Sequence, residues 1–504
     1  MRELEEGGCE TMMDHFNAWT VKKHAVCVKF LIALIGITGH MAGLAHGALQ
    51  SNGPSVSVVT LKILPTPWQF AVVGAIFILV IIARLSSCTE YLRGLVQPFV
   101  LRRVESGVPV ILAIQEYRHW LLDNILGTIA TVVSAPFYTV LLPMLFWHGQ
   151  PKLGRQLTLL LATCIYVGNS FKDTVCAPRP PAPVCRIASI GSEKKGSEEY
   201  GLPSSHSINI TCFSGYILYY LWGQKVEPDT IFMASIMFTT LVTLVIFGRL
   251  YLGMHSPIDI FVGCAIGASL LLVWFNVDCY LDTFIIGGEY VIPFWAAISI
   301  LGLYAYPIPQ SHTPSFEDHT AFSGVAFGIV AGVHRVFPHY HSALAASAVS
   351  LTVAHVFTRT ALGIVTSIAV KEGSKLLATL VFPSICSALK LLLGFRFHSS
   401  YYMKSKRTVL DDVEASKDST ELQALNSNEI LNDIESKGRC DEPQVPDRKE
   451  AVAGLGASMT WRALKFNPEY ESMDVDTGIR FVQYAALAWS VADLVPHIFS
   501  LLNL

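Results

Sequence analysis

Long uncharged stretches recur along this chain and leave it one kind of solvent to fold in. The clearest lie at 68–83, 125–147, 229–247, 260–276, 343–370 and 376–395. Weaker ones lie at 27–48, 155–171, 207–222, 291–306, 320–337 and 481–502. Most approach the ~20 residues that a helix needs to cross a hydrocarbon core. Only 15% of the 504 residues are charged, against about 25% in an ordinary soluble domain. The expected fold is therefore all-α, a polytopic membrane helical bundle of roughly ten spans.

The composition divides the chain into six regions. Residues 1–67 form an N-terminal region whose run at 27–48, after Lys22 and Lys23, reads as a first span or signal anchor. Residues 68–124 hold a span and then a stretch with Arg93, Arg102, Arg103, Glu116 and Arg118, too charged to cross a bilayer and apolar enough to lie on one. A core at 125–278 and further helices at 279–395 follow. Residues 396–464 are too polar to bury a core and read as a disordered segment. The hydrophobic segment 465–504 returns to the membrane. The net charge of −3 suggests no nucleic-acid partner. The eleven cysteines show no CxxC pair or zinc spacing, and Cys176 and Cys185, beside a proline-rich stretch, are expected as free thiols.

Three short segments concentrate the unusual chemistry. They are Lys172-DTVCAP-Arg179-Pro180, Pro203-Ser204-Ser205-His206, and Gly248-Arg249-LYLGM-His255-SPI-Asp259. The first two share one loop. From His206 the chain crosses at 207–222 and returns at 229–247, so the third segment emerges on the same membrane face. Lys172, Arg179 and Arg249 are three cations with few obvious carboxylate partners in these segments. Such a cluster is costly at a membrane boundary unless an anion neutralises it. Phosphate fits, because arginine offers a planar fork of donors and lysine a compact charge. The same cations would stabilise charge on the equatorial oxygens during phosphoryl transfer.

His206 and His255 supply the remaining functions: one imidazole attacks phosphorus while the other protonates the departing oxygen. Asp259 follows His255 by four residues, so on a shared helix its carboxylate would hold a ring N–H and expose the other nitrogen. That makes His255 the better nucleophile and His206 the better acid. Ser204 and Ser205 stand before a helix whose first N–H groups are free to bind an anion. Any one of these residues alone would be an anchoring cation, a cap or a turn. Their fixed order and shared face make the set informative.

The three segments resemble the signature of the type 2 phosphatidic acid phosphatase superfamily, written KxxxxxxRP, PSGH and SRxxxxxHxxxD. By that resemblance Lys172, Arg179, Ser204 and Arg249 hold phosphate. His255 forms a phosphohistidine, Asp259 orients it, and His206 is the general acid. Ser205 stands where the signature has glycine and joins the expected phosphate ligands. Gly248 stands where it has serine, and a lost phosphate contact there would slow turnover. YGLPSSHSIN, APRPPAP, GRLYLGMHSPIDI, PSFEDHTAF and the terminal DVDTGIRFVQYAALAWSVADLVP are similar to the sphingosine-phosphate phosphatase branch, its plant members included.

The resemblance implies a phosphoric monoester hydrolase acting on phosphorylated sphingoid lipids, with no cofactor, in the endoplasmic reticulum membrane and with a lumenal site. The charge count does not choose a face. Lys152, Arg155 and Lys225 lie opposite the catalytic loops, while Arg84, Arg93, Arg102, Arg103 and Arg118 share their side. A broader lipid phosphatase acting on phosphatidic acid and a non-enzymatic transporter are the competing readings. Glu317, Asp318 and His319 are expected to cap a helix on the catalytic face rather than bind metal, since consecutive residues rarely converge on one ion.

Overall fold

The computed structural model describes residues 66–85, 88–131, 133–187, 199–224, 226–307, 309, 313–336, 353–393, 397–398 and 473–502. The run at 27–48, the polar segment up to 464 and residues 343–352 lie almost wholly outside them. The helices are α1 (Pro67–Leu85), α2 (Cys88–Gln115), α3 (Trp120–Thr131), α4 (Ala135–Trp147), α5 (Pro151–Val175), α6 (Ser205–Gly223), α7 (Pro228–Tyr251), α8 (Pro257–Gly287), α9 (Val291–Ala305), α10 (Pro314–Val336) and α11 (Val353–Leu393). After them α12 (Val475–Trp489) runs through a π-helical turn, Ser490–Leu494, into α13 (Val495–Leu501).

The described fold is all-α, apart from a two-residue parallel pairing of Phe397–His398 with Met473–Asp474. The chain divides into two compact units, Met1–Ser374 with Phe481–Leu504, and Lys375–Arg480. The two-residue pairing belongs to the second. Everything below concerns the first.

Among the described residues, α7, α8 and the Val475–Leu501 stretch are long and apolar enough to cross a membrane. The expected span at 125–147 is two helices, α3 and α4, which together form a fourth candidate. Helix α5 lies in the protein interior, with Leu157, Leu160, Leu161 and Cys164 buried in the main core. Helix α6 adds Ile208, Ile210, Cys212 and Tyr216 to that core. A helix covered by protein needs no lipid-matched run of apolar residues, which is why the signals at 155–171 and 207–222 are weak.

The C-terminal segment closes the bundle on α10. Gly324, Gly328 and Gly332 form one stripe, and a Cβ on each would strike Phe481, Ala485 or Ala492 of the facing helix. The backbones approach this closely only because the stripe lacks side chains.

The stretch expected to lie on a bilayer, 84–124, packs against the protein. Helix α2 braces the loop end of the bundle. Arg93 donates to the carbonyls of Asp173 and Thr174, each at 2.9 Å, and Gln97 to that of Cys176 at 3.0 Å. Gln115 bridges Cys185 and Tyr251, donating at 2.7 and 3.0 Å. Its other face leaves Leu92, Leu95 and Phe99 exposed.

These contacts explain why the charge count gave no orientation. Arg93 is spent on carbonyls. Arg118 pairs with Asp123, and Arg155 makes a buried bidentate pair with Asp282. A charge committed to a partner within the protein reports little about the membrane side it faces.

Candidate active site

The end of α5 supplies the first cation. Its last residue, Val175, is followed by Cys176 in the left-handed conformation at φ 52°, whose N–H closes on the Lys172 carbonyl at 2.9 Å. This stops the helix one turn after Lys172 and sends the chain to Arg179. Both cations are buried, Lys172 at 2% and Arg179 at 5% exposure. Lys172 Nζ donates to Ser205 Oγ at 2.8 Å and to Glu199 Oε2 at 3.0 Å. Arg179 donates to the carbonyls of Met254 and Glu199 at 2.7 and 3.1 Å, and its Nη2 lies 3.6 Å from Glu199 Oε2.

The cations therefore do have a carboxylate partner, and the expectation that few stand near them needs correcting. Glu199 belongs to none of the three motifs, although it stands in the EEYGLPSSH run just before the second. Its other oxygen, Oε1, accepts from Ser315 Oγ of α10 at 3.0 Å. Burial by itself would raise the Glu199 pKa, but Lys172 and Arg179 beside it hold the carboxyl below its ordinary value. Burial pushes the Arg179 guanidinium down to about 10, against the pull of Glu199.

His255 sits in the turn between α7 and α8, not on a helix. Gly253 makes that turn at φ +64°, where a Cβ would also collide with the Cys185 carbonyl. The ring is fixed from the second motif: His255 Nδ1 lies 3.0 Å from the carbonyl oxygen of Gly201. A carbonyl only accepts, so Nδ1 carries the proton and Nε2 keeps its lone pair. Burial, followed by the charges of Arg179, Arg249 and Lys172, lowers the His255 pKa well below its usual value. The imidazole is thus neutral at neutral pH, as a nucleophile must be.

Asp259 differs from its expected role in geometry. Helix α8 starts at Pro257, after His255, so the two residues share no helical face. The Asp259 carboxylate accepts from the N–H of Ser256 at 2.7 Å, capping the helix start. Its Oδ2 remains 3.8 Å from His255 Nδ1, too long for a hydrogen bond and close enough for charge to act. Gly201, which sequence reasoning passed over, takes the ring N–H instead. The glycine is packed between Pro178, Arg179 and Asp259, with 3.0–3.3 Å to where its Cβ would stand.

The second motif opens α6. Ser204 is its N-cap: Oγ accepts from Ser207 N at 3.4 Å, and Ser204 N donates to the Asp259 carbonyl at 3.0 Å. Ser205, in place of the signature's glycine, uses its hydroxyl to aim Lys172. His206 bonds to the Ala130 backbone, and burial, followed by the charges of Arg249, Lys172 and Arg179, lowers its pKa well below the ordinary histidine value. Arg249 is 2% exposed in the last turn of α7 and acts likewise on Arg179 and His255.

All eight expected site residues therefore gather at one end of the bundle. At Gly248 a Cβ would meet Leu126 of α3 at 3.5 Å. A serine there would begin its side chain toward that helix, so the glycine costs the site no visible phosphate ligand.

A second tier supports the first. Asp173 accepts from Tyr306 Oη at 2.6 Å and Thr313 Oγ1 at 3.1 Å. Asn169 donates to the Ser315 carbonyl at 3.2 Å. The segment before and into α10 is thus tied to the catalytic face, where span parity put it. His319 stacks on Tyr306, with centroids 3.5 Å apart at 9°. Cys176 and Cys185 are both free thiols.

A buried imidazole and gathered cations at helix ends are chemistry suited to phosphoryl transfer. Residues 154–281 match the PAP2 superfamily, and the chain belongs to it: an all-α membrane protein and a phosphoric monoester hydrolase. Among its relatives, lipid phosphate phosphatase delta of Arabidopsis thaliana is 40% identical over 443 residues, 87% of this chain and 97% of that protein. A dihydrosphingosine 1-phosphate phosphatase of Saccharomyces cerevisiae is 35% identical over 202 residues, 39% of this chain and 48% of the yeast protein. Sphingosine-1-phosphate phosphatase 2 of Homo sapiens is 29% identical over 204 residues, 39% of this chain and 48% of that protein. No solved structure matches the chain.

Proposed function

We propose that this chain removes phosphate from sphingoid long-chain base 1-phosphates, without a metal ion, through a phosphohistidine on His255. The observation that carries the chemistry is the hydrogen bond from His255 Nδ1 to the Gly201 carbonyl, which leaves Nε2 as the neutral nucleophile beside three cations. The names of the yeast and human relatives support the substrate class.

In the first step the Nε2 lone pair forms a bond to phosphorus. The bond from phosphorus to the ester oxygen breaks, and His206, whose protonated form the bound phosphate dianion favours by offsetting the three cations, gives that oxygen its proton, releasing the long-chain base. In the second step a water oxygen attacks phosphorus and the P–N bond breaks. His206 takes the proton from the water, and inorganic phosphate leaves. Lys172, Arg179 and Arg249 bear the charge on the three equatorial oxygens throughout, which is the work a divalent ion would otherwise do. Asp259 stabilises the positive charge that His255 gains on phosphorylation. The membrane is that of the endoplasmic reticulum and the catalytic face is lumenal.

Phosphate release from sphingosine 1-phosphate and phosphatidic acid, measured in EDTA for the wild type and His255→Ala, tests the reading. The wild type should turn over the sphingoid substrate faster, and His255→Ala should be inactive. Equal activity of the two proteins overturns the nucleophile, a magnesium requirement overturns the metal-free route, and preference for phosphatidic acid overturns the substrate. A glycosylation tag inserted between Cys185 and Glu199 should be modified; an unmodified tag there, with a modified one in the 396–464 segment, reverses the topology.

A further inference from the structure

A carboxylate in a phosphate site needs a reason. Glu199 faces the same two cations that would grip the substrate, and it opposes an anionic ligand unless something compensates it. We infer that Glu199 selects the substrate by its ammonium group, pairing with the amine that a sphingoid base carries three bonds from its ester oxygen. The inference rests on the substrate reading above and names the residue that enforces it.

The geometry supports a carboxylate held ready rather than one trapped. Ser315 holds Oε1 and Lys172 holds Oε2, so the group is positioned from both sides. Its side chain is 15% exposed, against 2% for Lys172 and 3% for Arg179. Among these three groups Glu199 is the most accessible, and it is the one left to meet the part of the lipid next to the phosphate.

Charge accounting gives the selectivity. Lys172, Arg179, Arg249 and Arg186 bring four positive charges, and Glu199, Asp259 and Asp173 bring three negative ones. A phosphate monoester dianion adds two more and leaves the site one negative charge in excess. When phosphate takes over Lys172 and Arg179, Glu199 loses the partners that now neutralise it. An ammonium on the substrate restores balance at that carboxylate. Phosphatidic acid brings no such cation and leaves two anions facing each other, a repulsive element of the kind that makes sites selective.

The test compares dihydrosphingosine 1-phosphate with its 2-deamino analogue, in which a hydrogen replaces the ammonium group, in wild type and Glu199→Gln. The wild type should favour the free amine in kcat/KM by about tenfold or more, and Glu199→Gln should reduce that ratio to near one, mainly by losing activity on the amine. Glutamine keeps the hydrogen-bonding shape, so a merely structural role would lower both substrates together. Equal loss on both, or a wild type that does not distinguish them, overturns the inference. Phosphatidic acid run alongside separates the two readings: a wild type that prefers it overturns the substrate class itself. A wild type that prefers dihydrosphingosine 1-phosphate, with the amine preference intact in Glu199→Gln, overturns only the role of Glu199.

Discussion

Replacing Gly201 by alanine tests the geometry of the nucleophile without removing any charged group. The new Cβ would lie 3.0 Å from the Pro178 carbonyl oxygen, 3.2 Å from Asp259 Oδ2 and 3.3 Å from Arg179 Cα. Two of these neighbours are backbone and the third, Asp259 Oδ2, is held by the Ser256 N–H, so they or the Gly201 peptide must give by a few tenths of an ångström. Its carbonyl now accepts from His255 Nδ1 at 3.0 Å. Weakening that bond leaves a buried N–H short of its partner, at a cost of about 1–3 kcal/mol. The bond strengthens as the ring becomes cationic on phosphorylation, so the loss falls on the transition state. The expected outcome is a kcat lowered about 5- to 150-fold with KM little changed. Single-turnover phosphate release on detergent-purified protein measures it, with thermal unfolding to confirm that the variant is folded. A folded variant with wild-type kcat, or one whose whole deficit lies in KM, would refute the assignment of Gly201 as the group that orients His255.

Restoring the signature's serine with Gly248→Ser should leave activity within about twofold, because the side chain starts toward Leu126 at ordinary contact distance; a tenfold change in phosphate release would show that this position does reach the phosphate. Asp282→Ala removes the partner of buried Arg155 and should destabilise the protein by about 3–5 kcal/mol, read as a lowered Tm, while an unchanged Tm would contradict the ion pair. In kcat/KM against pH, the acidic limb due to His255 should lie below the ordinary histidine range, since burial and three cations disfavour its protonation. Removing one of those charges with Lys172→Met makes protonation easier, so the limb should move to higher pH in the residual activity; no movement, or movement downward, would count against the electrostatic cause.

The membrane class, the all-α fold and the gathering of the eight candidate residues were legible in the chain itself. Apolar run length is a property of sequence, because the bilayer imposes one thickness on every span. Parity then placed Lys172, Arg179, His206, Arg249 and His255 on one face by counting alone. The same logic set Ser315 and its neighbours on that face, and Asp173, Tyr306 and Thr313 show the connection.

Tertiary structure alone decided which atoms meet. His255 and Asp259 are four residues apart, and spacing suggested a hydrogen bond between them. The start of α8 at Pro257 instead gives the carboxylate to a backbone cap and the imidazole to Gly201. Glu199 and Ser315 are 116 positions apart, and no local pattern announces that they share a carboxylate–hydroxyl contact beside Lys172. Sequence spacing reports on neighbours along one helix, and a catalytic pocket is built from the ends of several. The charges alone pointed to an anion site; only the folded loop put Glu199 against its cations.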